Sequence, residues 1–134
     1  MLFRYKEIFS QFIKFAIIGC INTSVDFAVY IGLTRFAPFF EDQIYLANAC
    51  AFIVAATLSF FANRTWTFGQ TTRPRVSEAI KFYSTTGTGF LLNTSILFIF
   101  VSVLNSYDLL GKVVATGVTM MWNFLLNKFW VFKK

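Results

Sequence analysis

A chain of 134 residues with 57% hydrophobic, 20% aromatic and 13% charged side chains is too apolar for a water-facing surface: a soluble domain carries about a quarter charged residues, and a small globule has too little interior to hide the excess. Nineteen Phe and no His exclude a His-based catalyst, and two cysteines exclude a disulfide scaffold. The net charge of +6 would suggest nucleic acid as the partner of a soluble protein; on this apolar background it points to membrane topology, and no nucleic-acid partner is expected.

In chain order, Met1 to Gln11 is amphipathic, with Phe3, Tyr5, Ile8 and Phe9 between charges and no small-residue cleavage site behind them. It reads as an interfacial helix leading into the first span, not as a cleavable signal. Residues 15–34 supply the first stretch of the ~20 apolar residues that a helix needs to cross a bilayer, with Asp26 as its one charge. Residues 44–62 and 82–105 supply a second and a third, both uncharged. Residues 109–130 supply a fourth, with Lys112 near its start and Lys128 near its end. Pro38 and Pro74 fall in the connections, where helix breakers belong. Strands are excluded, because a lipid-spanning sheet must close into a barrel of ~8 strands and the chain has no room for them. The expected fold class is an all-α integral membrane protein, with four transmembrane helices in a single domain over residues 1–134.

Orientation follows from Lys and Arg. Threaded alternately, four spans put every Lys and Arg except Arg35 and Lys112 on one side: Arg4, Lys6 and Lys14, then Arg64, Arg73, Arg75 and Lys81, then Lys128, Lys133 and Lys134. Glu41, Asp42 and Asp108 lie on the other side. Both termini are therefore expected in the cytoplasm. Trp66, Trp122 and Trp130 fall in or near the inner ends of spans two and four, as interface anchors do. Cys20 and Cys50 lie inside spans without a neighbouring ligand and are expected to be small buried apolar residues.

The chain also repeats itself. At the offset that carries Phe60 to Phe124 (64 residues), Asn63, Trp66 and Phe68 match Asn127, Trp130 and Phe132, Arg64 meets Lys128, and Asn48 meets Lys112. At the offset that carries Lys14 to Lys81 (67 residues), Phe15 meets Phe82 and Asp26 meets Asn93. The similar strings Asn22-Thr23-Ser24 and Asn93-Thr94-Ser95 fit neither offset and are taken as chance. Each unit is a two-span hairpin, residues 12–68 and 79–132, and an even number of spans makes the repeat parallel, both copies entering from the same side.

These residues resemble the GtrA-like family. The resemblance is carried by Lys14-Phe15, Gly19, Asn22-Thr23 and Asp26, then Phe60, Asn63-Arg64, Trp66 and Phe68. Its second half is Lys81-Phe82, Gly87 and Asn93, then Lys112, Asn123-Phe124, Asn127-Lys128, Trp130 and Phe132. The resemblance covers nearly the whole chain. It implies a small protein of the bacterial inner membrane, linked to translocation of polyprenyl phosphate or of sugars carried on it, for decoration of surface polysaccharides.

Such a protein must hold an anionic phosphate and sugar hydroxyls while the tail stays in lipid. Lys14, Arg64, Lys81 and Lys128 fall at the expected cytoplasmic boundary, two from each repeat, and are the candidate phosphate ligands. Spans one and three are expected to begin there, adding two positive helix-dipole ends. As boundary cations they equally serve topology, and the functional reading is favoured most for Arg64 and Lys128, which sit in matched Asn-cation-x-Trp motifs. Ser59, Asn63 and Trp66 share one helical face, as do Asn123, Asn127 and Trp130. With Asn22 and Asn93 these are candidates for the headgroup path, or for interhelical hydrogen bonding worth ~0.6–2 kcal/mol per contact.

Asp26 lies twelve residues beyond Lys14, ~18 Å along a helix and past the midpoint of a ~30 Å core. A carboxylate at that depth calls for a partner. Lys112, sixteen residues before Lys128 and so ~24 Å above the inner boundary, is the expected one. Gly87 and Gly89, with Thr85, Thr86 and Thr88, give span three a small packing face; without a preceding strand they are no dinucleotide motif.

The function these features favour is a lipid flippase without a cofactor or metal, assembled as a homo-oligomer, a dimer above all, and working alone or as a partner of a glycosyltransferase. The alternative is a non-catalytic subunit that anchors or positions a glycosyltransferase; an ion channel or small-molecule exporter fits hydropathy alone. An enzyme is disfavoured, since no acidic pair shares a depth, no nucleophile–base pair lies within a span, and Glu7 and Glu78 are isolated at the interface.

Overall fold

A backbone immersed in lipid has no water to bond, so every N–H and C=O must be satisfied within its own segment or by a neighbouring one. The chain is accordingly built of helices, with no strand among the described residues. A computed structural model describes residues 1–133; Lys134, one of the cations counted for topology, and the side chains of Ile44, Tyr45, Asp108 and Leu109 lie outside the described residues.

Helix α1 runs over Leu2–Phe36, 35 residues, or ~52 Å at 1.5 Å per residue against a hydrocarbon core of ~30 Å. The expected interfacial segment and first span are thus one uninterrupted helix, since no proline separates them. It stops at Ala37, which is extended (φ −110°, ψ 107°), because the ring of Pro38 disfavours helical backbone in the residue before it. A 3₁₀ turn over Pro38–Phe40 leads to α2, Ile44–Ala62, with the bounds the apolar run indicates. Helix α3 covers Val76–Phe98. Its start is marked by Pro74 and by Glu78, whose Oε2 accepts from the Arg75 N–H at 3.4 Å, relieving one of the donors a helix start leaves unpaired. Helix α4 covers Asp108–Leu126.

Three of the four helices end in a widened π-turn: Asn63–Thr67 after α2, Ile99–Val103 after α3 and Asn127–Val131 after α4. Each is closed by an i+5→i bond, Phe68 N to Asn63 O at 2.9 Å, Leu104 N to Ile99 O at 3.0 Å and Phe132 N to Asn127 O at 2.9 Å. The first two are followed by a left-handed residue, Gly69 (φ 61°) and Asn105 (φ 47°), the residue types that tolerate that conformation best.

The chain divides into two units, Met1–Thr71 and Thr72–Lys134, each a helical hairpin. In the first, Ala47, Ala51 and Ala55 of α2 are fully buried beside Ile18, Phe60 and Phe68; alanines at four-residue spacing let helix backbones approach closely. In the second, Ala115, Phe82, Phe124, Val131 and Phe132 are buried. A Cβ on Gly111 would lie 2.7 Å from the Phe100 Cβ, so the glycine is required by the close approach of α4 to the end of α3.

Three stretches among the described residues, Leu2–Phe36, Leu46–Thr67 and Val76–Val103, are long and apolar enough to cross a membrane. Only 6% of the most apolar stretch of α1, and likewise of α3, is buried, against 33% for α2. Such exposure of Phe27, Ile31, Phe90, Leu91 and Phe98 fits a lipid environment and not water. Cys20 is exposed and Cys50 half-buried. This corrects the expectation that both are buried: Cys20 lies on the outward face of α1, where a thiol is apolar enough for lipid.

Candidate functional site

The matched terminal motifs of the two hairpins fold into matched geometry. In the first hairpin the Lys14 Nζ lies 5.7 Å from the centroid of the Trp66 ring and donates to the Trp66 main-chain oxygen at 3.5 Å. In the second the Lys81 Nζ lies 5.6 Å from the centroid of the Trp130 ring. The rings are half exposed, at 48% and 45%, so each indole offers one face to the ammonium and keeps an open edge, the habit of tryptophan at a membrane interface. Both lysines are half-buried, and the partners of Lys14 are a ring and a carbonyl, not a carboxylate. An ammonium held this way keeps its charge unneutralised and presents it at the level of the tryptophans.

The other two candidate cations behave differently. Arg64 is 2% exposed and has partners within the protein, as a buried guanidinium requires. Lys128 is half-buried, with its Nζ 5.8 Å from the centroid of the Phe129 ring and a further interaction. The Asn-cation-x-Trp motifs thus differ, Arg64 being placed inside the fold and Lys128 only partly buried.

Neither lysine lies within the first turn of its helix, where a helix dipole acts, so the expected dipole contribution is met at neither. Helix α3 begins at Val76, five residues before Lys81 and so ~7.5 Å from it. Helix α1 begins at Leu2, ~18 Å before Lys14, too far for a field that fades within the first turn.

The amides lie just inside these pairs. Asn63 (2% exposed) and Asn127 (1%) open the two π-turns. Asn63 Nδ2 donates to Ser59 Oγ at 3.1 Å and its Oδ1 accepts from Thr67 Oγ1 at 3.0 Å. Asn127 Nδ2 donates to the Asn123 main-chain oxygen at 2.6 Å, while the buried Oδ1 atoms of Asn127 and Asn123 have no hydrogen-bond partner. Asn22 Oδ1 and Asp26 Oδ1, one turn apart on α1, are likewise buried and unpartnered. Asn93 is half-buried and Lys112 exposed.

Of the two glycines of the expected packing face, Gly87 has open space where a Cβ would stand, whereas Gly89 lies against the Asn123 amide, which a Cβ would overlap. Trp122 donates from Nε1 to Thr88 Oγ1 at 3.3 Å. It lies eight residues before Trp130, ~12 Å deeper, and ties α4 to α3 there, away from the interface. Thr67 completes the Asn63 network, and its only signal in the sequence is a hydroxyl four residues beyond the amide. Among the described residues no three His, Cys, Asp or Glu are grouped to hold a metal.

Comparison with known proteins spans both hairpins. The family of the GtrA/DPMS transmembrane domain matches residues 14–132, beginning at Lys14 and ending at Phe132. The uncharacterized membrane protein YngA of Bacillus subtilis (strain 168) is 32% identical over 132 residues, which cover 95% of this chain and 82% of that protein.

Proposed function

The chain belongs to the family of GtrA/DPMS transmembrane domains, and from that premise we propose that it moves polyprenyl phosphate, or a sugar linked to it, across the bacterial cytoplasmic membrane for glycosylation of surface polysaccharide. The family is associated with translocation of polyprenyl-phosphate sugars. For this chain the reading is supported above all by the twin Lys–Trp arrangements. A polyprenyl tail remains in lipid while its phosphate sits at headgroup level, and there it meets an ammonium that lies against an indole ring. Lys14 and Lys81 are the residues that take the phosphate in this account. Arg64, from within, and Lys128, beside Phe129, add to the local positive potential, and Trp66 and Trp130 fix the depth.

Ser59, Asn63, Asn123 and Asn127, with Asn22 and Asn93, line the path of the headgroup beyond the phosphate. Asp26 and Lys112 are the deep charges that the path passes. Both termini lie in the cytoplasm, the working form is a homo-oligomer, and a glycosyltransferase supplies or consumes the cargo.

The test is equilibrium binding of polyprenyl phosphate to the purified protein in detergent. K14Q/K81Q should weaken binding at least tenfold with unchanged helicity. Binding that survives the double substitution would contradict the assignment. Failure of the unaltered protein to bind, with co-purification of a glycosyltransferase, would favour the anchoring alternative.

A further inference from the structure

In each hairpin the returning helix carries a row of positions at four-residue spacing along its packed side. The row reads Ala47, Ala51, Ala55, Ser59, Asn63, Thr67 in the first hairpin and Gly111, Ala115, Thr119, Asn123, Asn127, Val131 in the second. In the first the row closes on itself. Thr67 donates to Asn63 Oδ1, Asn63 donates to Ser59, and Ala55 has nothing to satisfy. In the second, Val131 stands where Thr67 stands in the first, and a valine has no donor. The Asn127 Oδ1, the Asn123 Oδ1 and the Thr119 Oγ1 are all buried without a hydrogen-bond partner, on three successive turns.

Other hydroxyls in the helices avoid this state by donating to a carbonyl one turn back, as Thr23, Thr57, Thr85, Thr86 and Ser95 do at 2.7–3.0 Å; Thr119 does not. Asn123 reaches its position only because residue 89 is a glycine. At the equivalent positions of the first hairpin the sizes are exchanged, with Asn22 for the glycine and Ser59 for the amide.

We propose that the returning helices of the two hairpins are not equivalent toward cargo: that of the second, unlike that of the first, recognises its sugar hydroxyls, through the side-chain carbonyls of Asn123 and Asn127 and the hydroxyl of Thr119, and Val131 leaves Asn127 without the internal donor that Thr67 gives Asn63. This rests on the reading of the protein as a carrier of polyprenyl-phosphate sugars. Carboxamide oxygens accept and do not donate, so they suit the hydroxyls of a sugar and repel its phosphate. The row extends over eight residues, ~12 Å, inward from the Lys81–Trp130 pair. A hydroxyl arriving at Asn127 Oδ1 supplies a donor where there was none; at Asn63 it would first have to displace Thr67. Along the returning helices, cargo is therefore preferred over the empty state in the second hairpin and not in the first.

The test compares two lipids on the full chain in detergent, polyprenyl phosphate and polyprenyl-phosphate hexose, by quenching of tryptophan fluorescence. The unaltered protein should bind the hexose form at least tenfold more tightly. V131T, which gives Asn127 the donor that Asn63 already has, should bring the two affinities within twofold while leaving that for polyprenyl phosphate unchanged. V131A, which alters packing without adding a donor, should keep the tenfold preference. Equal affinities in the unaltered protein, or the same behaviour from V131T and V131A, would overturn the proposal while leaving the lipid-carrier reading intact. Failure to bind either lipid would overturn both.

Discussion

Replacing Gly89 by Ala, with Gly87→Ala as its control, probes the interior of the second hairpin. The two glycines are two residues apart on α3, so backbone propensity acts on them alike: in each case alanine gains up to about 1 kcal/mol in helix formation. What differs is space. A Cβ at residue 87 meets nothing within 4 Å, whereas at residue 89 it would overlap the Asn123 amide oxygen and stand 3.1 Å from both Cγ and Nδ2. Overpacking of that kind costs about 1–3 kcal/mol. Gly87→Ala should therefore be neutral or stabilising and Gly89→Ala about 1–3 kcal/mol less stable than it. The double variant G89A/N123S, which moves this contact toward the Asn22–Ser59 pattern of the first hairpin, should recover most of the loss. Unfolding in mixed micelles by titration with SDS, followed by helicity, reads the difference directly. Equal stability of the two alanine variants would refute the packing of Asn123 over Gly89.

Thr67→Val removes the donor to Asn63 Oδ1 and leaves that buried acceptor unpaired, so it should cost about 1–3 kcal/mol in the same titration, although valine matches threonine in shape. Removal of Trp130, as W130L, strips Lys81 of its ring face, an interaction worth about 0.5–2 kcal/mol, and should weaken polyprenyl-phosphate binding between twofold and thirtyfold in the assay used for K14Q/K81Q. The charge exchange D26K/K112D should restore expression and transport lost in D26K alone, if the two deep charges pair as their depths suggest; no rescue would count against the pair. A reporter active only in the cytoplasm should be active when fused after Phe132 and inactive when fused between Phe39 and Gln43, the outcome required by the distribution of Lys and Arg.

Much of the fold is legible because lipid is an exacting solvent. The uncharged run at 44–62 coincides with α2, since in hydrocarbon an apolar run of that length has no alternative to helix. The N-terminal boundary is not legible: nothing between Gln11 and Phe15 breaks a helix, so α1 continues through a segment whose charges suggested a separate element. At the site, the repeat offsets matched Lys14 to Lys81 and Trp66 to Trp130 but did not pair lysine with tryptophan; that pairing is set by the register within each hairpin. The burial of Arg64 was hidden, since a motif shows residue type and spacing but not the extra residue that a π-turn inserts. Asn63 and Asn127 look alike in sequence, and only the donor at residue 67, absent at 131, separates a satisfied amide from an open one.

The most direct measurement is transbilayer movement of fluorescent polyprenyl-phosphate hexose in liposomes containing the purified protein, read by the fraction of label reached by a membrane-impermeant quencher. Lipid movement should be fast with the unaltered protein and fall at least tenfold with K14Q/K81Q at equal incorporation. Movement no faster than in protein-free liposomes, or unaffected by the loss of both lysines, would contradict the account.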